Sequence, residues 1–293
     1  VIKSTRHIPI YKQMIAFLRN ALDLLDEQGR EEVLHFIASQ QNRDGGFKDR
    51  GGKSDMYYSL FGGMMLRAVV SPLNPPKGDL ENGNGASFQL QQYIVGQSSS
   101  EIPGFIEQCC MVLLQKQFGT GRFSRLKALL SLCRSFWKER HSINLSYRSF
   151  VLFLTLDAVF PFLIFLKRLL RRISSGTIVN QHSPCSEVAA KVFLQEMMNQ
   201  DGTEEQKLLT SFVCKSGGFK AFQHLQQADM LSTAVALFAL DYAGSDLRLL
   251  KPACLGFIQS NFADGAFLSG DGDQTTDVEY TFYGLLALGV LAK

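Results

Sequence analysis

The chain is poor in the patterns that make strands and in the residue sets that mark the commonest enzymes. It has one Trp and eight Pro in 293 residues. Alternating Val, Ile, Thr and Tyr runs are nearly absent while helix formers fill long stretches, so an all-α fold is expected. Six Cys include no Cys-x-x-Cys pair, and most lie inside apolar helical patterns, where a thiol packs as a small hydrophobe; a reducing compartment follows. The five His show no metal-ligand spacing, and neither a Ser/His/Asp set nor a P-loop glycine pattern is present. The first residues, VIKSTRHIPIYKQ, contain no apolar core of signal-peptide length and no small-residue cleavage site, so a cytoplasmic location is expected.

What is present is apolar and unevenly charged. With 46% hydrophobic residues the chain can bury a sizeable core. The net charge of +3 hides a basic block: from Arg122 to Arg172 there are eleven Lys or Arg against Glu139 and Asp157, about +9, which leaves about −6 for the rest. Within that block FSRLKALLSLCRSFWKER reads as a basic amphipathic helix. It precedes a 17-residue apolar run, Phe150 to Leu166, at the lower limit of a membrane span and interrupted by Asp157 and Pro161. Cationic amphipathic helices rest in the lipid head-group layer, so segment 122–175 is expected to attach the protein peripherally to an anionic membrane surface. The competing reading makes Phe150 to Leu166 a buried helix with solvated basic neighbours. Nucleic acid is not expected as a partner, because no recognition module is present and the block is too apolar.

The chain repeats itself. DGGFKDRGGKSDMYYSLFGGMML from Asp44, SGGFKAFQHLQQADMLSTAVALFAL from Ser216 and DGAFLSGDGDQTTDVEYTFYGLLAL from Asp264 share one plan. Each has a Gly-Gly-Phe or Gly-Ala-Phe turn, then an Asp (Asp55, Asp229, Asp277), a Ser or Thr four residues on (Ser59, Thr233, Thr281), and an apolar helix. Gly permits the turn, Phe plugs the core beneath it, and Asp caps the next helix. Weaker copies near Ile102, Ser146 and Ser183 bring the count to six helical hairpins in one domain spanning 1–293. The last repeat runs out on the apolar LLALGVLAK, which favours closure into a ring over an open solenoid.

The run Gly45-Gly46-Phe47 followed by Arg50, Lys53, Asp55, Tyr58 and Ser59 resembles the repeat of protein prenyltransferase beta subunits. DVEYTFYGLLALG resembles a later repeat of the same superfamily, which includes the squalene cyclases. The resemblance is strong over about 45–69 and 217–290, weak over about 120–180, and implies an alpha/alpha toroid around an apolar cavity.

In such enzymes the Arg, the Lys and a Tyr hold an isoprenoid diphosphate, and the matching positions are Arg50, Lys53 and Tyr58. Planar and point-like cations together suit a diphosphate. The family's zinc ligands are an Asp, a Cys and a His; here Asp55 is kept, but Tyr57 stands for the Cys and Tyr280 for the His, so zinc is not expected. In place of zinc, Asp55, Asp271, Asp273, Asp277 and Glu279 are candidates for an oxygen-rich site suited to Mg²⁺ or Ca²⁺, with Asp55 and Asp277 as candidate catalytic carboxylates. Tyr57, Tyr58, Tyr280 and Tyr283 are candidates for lining the substrate site, against the alternative that such aromatics only fill the core. Three functions stay open: an enzyme handling a prenyl diphosphate or polyisoprenoid, a non-catalytic toroid that binds lipid or a protein partner, and a small class II terpene cyclase. The resemblance leaves room for a partner subunit.

Overall fold

A helix that is apolar all round must find neighbours on every side. In the computed structural model, which describes residues 8–69, 81–97, 104–119, 125–138, 145–160 and 178–293, six helices do so by forming a ring. In chain order the described helices are α1 (Ile10–Leu24), α2 (Glu27–Ser39), α3 (Met56–Val69), α4 (Glu81–Gly96), α5 (Phe105–Phe118), α6 (Arg125–Lys138), α7 (Leu145–Val159), α8 (Cys185–Met197), α9 (Thr203–Thr210), α10 (Met230–Tyr242), α11 (Lys251–Ser260) and α12 (Val278–Leu291). Helix α3 packs on α5, α5 on α7, α7 on α8, α8 on α10 and α10 on α12, and α12 returns to α3. Helices α2, α4, α6, α9 and α11 each precede an inner helix and lie outside it. Their amphipathic pattern fits that place: α2 buries Val33, Phe36 and Ile37, and α11 buries Cys254, Phe257 and Ile258. The protein is thus an all-α toroid.

The three clear turn copies show what the repeat is for. Gly45, Gly217 and Gly265 have φ of 90°, 95° and 75°, which excludes most side chains. A Cβ at these positions would also lie 2.0, 2.1 and 2.2 Å from the carbonyl oxygens of Gln89, Ala253 and Glu32. Those carbonyls belong to α4, α11 and α2, so each turn presses on the next outer helix and the last turn closes the outer ring on α2.

The aromatic ring that follows is fully buried in each copy. The buried N–H groups of Phe47, Phe219 and Phe267 donate to the hydroxyls of Ser59, Thr233 and Thr281 at 2.9, 2.9 and 3.3 Å. This is why Ser or Thr follows the Asp by four residues: an unpaired amide under the ring would cost about 1–3 kcal/mol. Two-residue ladders, β1 (Phe47–Lys48) with β2 (Ser54–Asp55) and β3 (Phe262–Ala263) with β4 (Ala266–Phe267), steady two of the turns.

Helix α1 stands outside the hairpin plan. It packs on α12, α3 and α7. Its Arg19 Nε donates to the carbonyl of Ala68 at the end of α3, and Phe17 lies edge-on to Phe238 of α10 at 6.1 Å. The backbone of α1 passes so close to α12 at Phe17 that only a glycine, Gly289, fits there. At its start, the N–H of Ile10 donates to Asp157 Oδ2 of α7 at 2.8 Å. These contacts fall near the C-terminal ends of the inner helices, so α1 stoppers that end of the ring. Seven of its residues are buried, Met14 among them.

The apolar run from Phe150 divides between α7, an inner helix buried from Val151 to Val159, and residues 161–177, which lie outside the described residues. Among the described residues no helix is long and apolar enough to cross a membrane. Helix α6 buries Leu132 and Phe136 but leaves Leu130 and Trp137 62% and 64% exposed.

Candidate functional site

Helices α3, α5, α7, α10 and α12 each follow an outer partner and so run the same way; α8 runs with them, since Cys185 at its start bonds to the Ser232 carbonyl in the first turn of α10, and the six N-termini surround one end of the ring. The three repeat aspartates stand here as caps. Asp55 Oδ1 accepts the N–H groups of Tyr57 and Tyr58 at 2.8 and 3.1 Å, Asp229 Oδ1 that of Ser232 at 2.8 Å, and Asp277 Oδ1 that of Tyr280 at 2.7 Å. Capping alone accounts for one oxygen of each.

Their second oxygens differ. Asp277 Oδ2 is 2.8 Å from Arg50 Nε, and Asp273 Oδ2 is 3.0 Å from Arg50 Nη1. The Arg50 guanidinium also lies over the ring of Tyr280, 5.2 Å from its centre. First and last repeats therefore do meet, but through a cation. Arg50 fills the space between Asp273 and Asp277 that a metal ion would need. Among the described residues no three His, Cys, Asp or Glu side chains converge as a metal site. Asp271 is engaged by the Ser269 hydroxyl and the Asp273 N–H, and Asp55 serves its own helix. The expected five-carboxylate cluster is thus two carboxylates on Arg50 and three dispersed ones. Lys53 is exposed, and its N–H, not its side chain, donates to Asp49.

Deeper in, Glu279 and Tyr57 form the centre of a polar knot. The Tyr57 hydroxyl donates to Glu279 Oε1 at 2.9 Å, and Tyr58 also bonds to that carboxylate. Tyr57 is in turn hydrogen-bonded to Tyr283 and Tyr147. Burial pushes the Glu279 carboxyl above the ordinary carboxylate range, opposed by the Tyr57 bond and raised further by Asp277. Burial also pushes Tyr58 and Tyr280 up to about 12, and raises Tyr57 and Tyr283 well above the ordinary phenol. These phenols stay protonated as donors.

Beneath the knot lies an apolar cavity of about 280 Å³, near the lower end of the roughly 300–1,000 Å³ usual for ligand sites. All six inner helices line it: Leu60 and Met64 from α3, Leu113 from α5, Leu154 from α7, Phe193 from α8, Phe238 from α10 and Phe282 from α12. Tyr57, Tyr147 and Tyr283 reach it from the polar end, and Met14 of α1 forms part of its wall. Phe193 stacks on Tyr242 at 4.2 Å and on Phe238 at 5.5 Å. Cys110 lines the cavity as a buried thiol whose ionisation burial opposes; Cys109 beside it is buried too. Of the expected site residues, Tyr57 and Tyr283 reach the cavity, Arg50, Tyr58, Asp277 and Glu279 gather at its mouth, and Tyr280 sits under Arg50. Tyr147 was not anticipated; its place in the first turn of α7, like that of Tyr57 in α3, was the available signal.

Two concentric rings of helices around an apolar cavity, polar at one end and stoppered at the other, define an alpha/alpha toroid. The chain belongs to the prenyltransferase alpha-alpha toroid domain family, which matches residues 11–127 and 165–293. The unmatched interval contains most of α6 and all of α7. A type II terpene cyclase, MstE from Scytonema in its apo form, is similar in structure, with a TM-score of 0.56 and 13% identity over 95% of this chain and 98% of that one. At that identity the likeness is one of fold. No match is found among curated proteins.

Proposed function

We propose that this protein takes an isoprenoid chain into its central cavity and works on it at the mouth by moving a proton through Glu279 and Tyr57. The observation that carries the reading is the separation of surfaces: an apolar, aromatic cavity whose polar groups are confined to one end. Glu279 is a carboxyl that burial biases toward carrying a proton, and Tyr57 stands between it and the cavity. When Glu279 is protonated the same hydrogen bond can run toward Tyr57, so a proton leaving the phenol is replaced from the carboxyl. Stacked aromatics below suit an electron-poor intermediate. The type II terpene cyclase of similar fold agrees with a terpene chain as the substrate.

The prenyl diphosphate reading rests on Arg50, Lys53 and Tyr58. It requires Arg50 to exchange Asp273 and Asp277 for phosphate oxygens, and Asp277 is fixed as the cap of α12. A zinc-activated thiol is also not favoured, since Tyr57 is a buried phenol already bonded to Glu279 and offers no thiolate. Titration calorimetry with farnesol and farnesyl diphosphate tests the choice. The uncharged farnesol should bind, and Ala239→Phe, which fills the cavity, should abolish binding in a protein that still unfolds cooperatively. Binding of farnesyl diphosphate alone, lost in Arg50→Ala with Lys53→Ala, would restore the diphosphate reading instead.

A membrane role is supported by α6, where exposed Leu130 and Trp137 share the helix with exposed Arg134 and Lys138. Apolar side chains among cations fit an anionic lipid surface, the reservoir from which a long isoprenoid is drawn. Vesicles rich in phosphatidylserine should retain the protein, and Leu130→Ser with Trp137→Ser should release it.

A further inference from the structure

Around α3, α7 and α12 the groups at the mouth of the central cavity are tied to one another. Arg50 bridges Asp273 and Asp277, and Tyr57 is bonded to Glu279, Tyr147 and Tyr283. A guest passing there has to break charge-assisted contacts about twice as strong as neutral hydrogen bonds. The far end is closed by α1, packed on three inner helices. The sector of α8 and α10 is different. A second cavity of about 600 Å³ lies beside the first there, and Ser186 of α8 and Leu231 of α10 line both. At these residues the wall between the two cavities is one side chain thick. Both residues are half-buried, and Leu231, in the first turn of α10, has no polar atom in its side chain to hold it in place.

We propose that the second cavity is the entrance to the first, and that Leu231 is the gate through which an uncharged isoprenoid passes. Turning Leu231 outward breaks no ion pair and no hydrogen bond of its side chain, and the second cavity has room to receive it. The lining suits a passage more than a resting place. Pro184, Ala221, Phe222 and Leu225 give an apolar path to Leu231 from the surface, where Leu225 is 39% exposed. Gln226, Gln227 and Asp271, all exposed, line the rest and keep it wet, so an apolar chain gains by moving on into the aromatic cavity. With the chain inside, Leu231 closes against this water, which an electron-poor intermediate would otherwise capture. The proposal rests on isoprenoid uptake by the central cavity and adds the route.

The probe is 8-anilinogeraniol, an uncharged fluorescent isoprenoid alcohol, mixed with the whole protein in a stopped-flow fluorimeter. A gate raises or lowers one barrier that is crossed in both directions, so it changes rates and not affinity. Ala221→Trp fills the entrance at a residue that does not line the central cavity. It should slow association and dissociation alike by at least about tenfold and keep Kd within about twofold. Leu231→Ala should speed association at least about threefold. Acceleration in Arg50→Ala without acceleration in Leu231→Ala puts the entrance at the axial mouth and overturns the proposal. So does a large loss of affinity in an Ala221→Trp protein that still unfolds cooperatively, since the alcohol then rests in the second cavity. If the alcohol binds with rates indifferent to Ala221→Trp and Leu231→Ala, the route alone fails. If it does not bind the unaltered protein, uptake by the central cavity fails and the route with it.

Discussion

Glu279 shows most sharply how a single residue departs from its sequence reading. In the sequence it is one acid in a crowded turn and a candidate metal ligand. In the fold it is the acid that Tyr57 and Tyr58 both hold, because α12 closes the ring against α3. A carboxyl raised in the folded state binds its proton more tightly there than in the unfolded chain. It therefore lowers stability progressively as pH rises from about 4.3, the ordinary Glu value, through its folded value. Glu279→Gln should remove that loss, so melting curves recorded from pH 4 to 8 should fall less steeply in the variant; an unchanged slope would show that Glu279 ionises freely. Turnover of the isoprenoid substrate should fall in the same variant while binding is kept. The tyrosines at 57, 58 and 283 could be picked out from the sequence, since their helical spacing and the family resemblance mark them. Their partners could not, because Tyr57 and Glu279 meet only across the ring closure. Arg50 was legible as a mouth cation, but its neutralisation by Asp273 and Asp277 depends on the same closure.

At the level of the element, the hairpin turn is the best-specified part of the chain. Gly, Phe, Asp and Ser or Thr recur at fixed offsets because each solves a separate problem at one corner: close approach to the next outer helix, a plug, a cap, and an acceptor for the plug's own amide. Thr233→Val keeps the shape but removes the acceptor for the Phe219 N–H, and should cost about 1–3 kcal/mol in denaturant unfolding. Gly284→Ala poses a contest of two effects. Alanine gains about 1 kcal/mol in helix propensity, yet its Cβ would sit 2.2 Å from the Phe267 ring. Overlap with a fully buried ring should win, and the variant should be less stable; a gain in melting temperature would show that Phe267 can move aside. Helix α6 was legible as an amphipathic, basic element from its spacing alone. The apolar stretch after it was not resolved by sequence, because an inner toroid helix and a membrane helix have the same composition. The buried surroundings of α7 settle its part as an inner helix.

For the whole molecule, ring closure was foreseen from the apolar last repeat, while the stopper was not. Helix α1 carries no turn motif, and its seven buried residues read as an ordinary amphipathic face. Its place depends on a tertiary bond, Ile10 N–H to Asp157, whose carboxylate in an apolar run looked like an argument about membranes. Asp157→Leu should leave that amide unpaired, loosen α1 before the ring itself opens, and appear in hydrogen exchange as early labelling of residues 10–24. If α1 stays as protected as α10, the stopper is held by packing alone. The common direction of the inner helices has a further consequence. Six parallel helices each present about half a positive charge at the mouth and half a negative charge toward the stopper, so their fields add along the axis of the cavity. An apolar guest therefore lies in a potential gradient that distinguishes its two ends, and a nitrile placed at the mouth should shift in infrared frequency from one placed beside Met14.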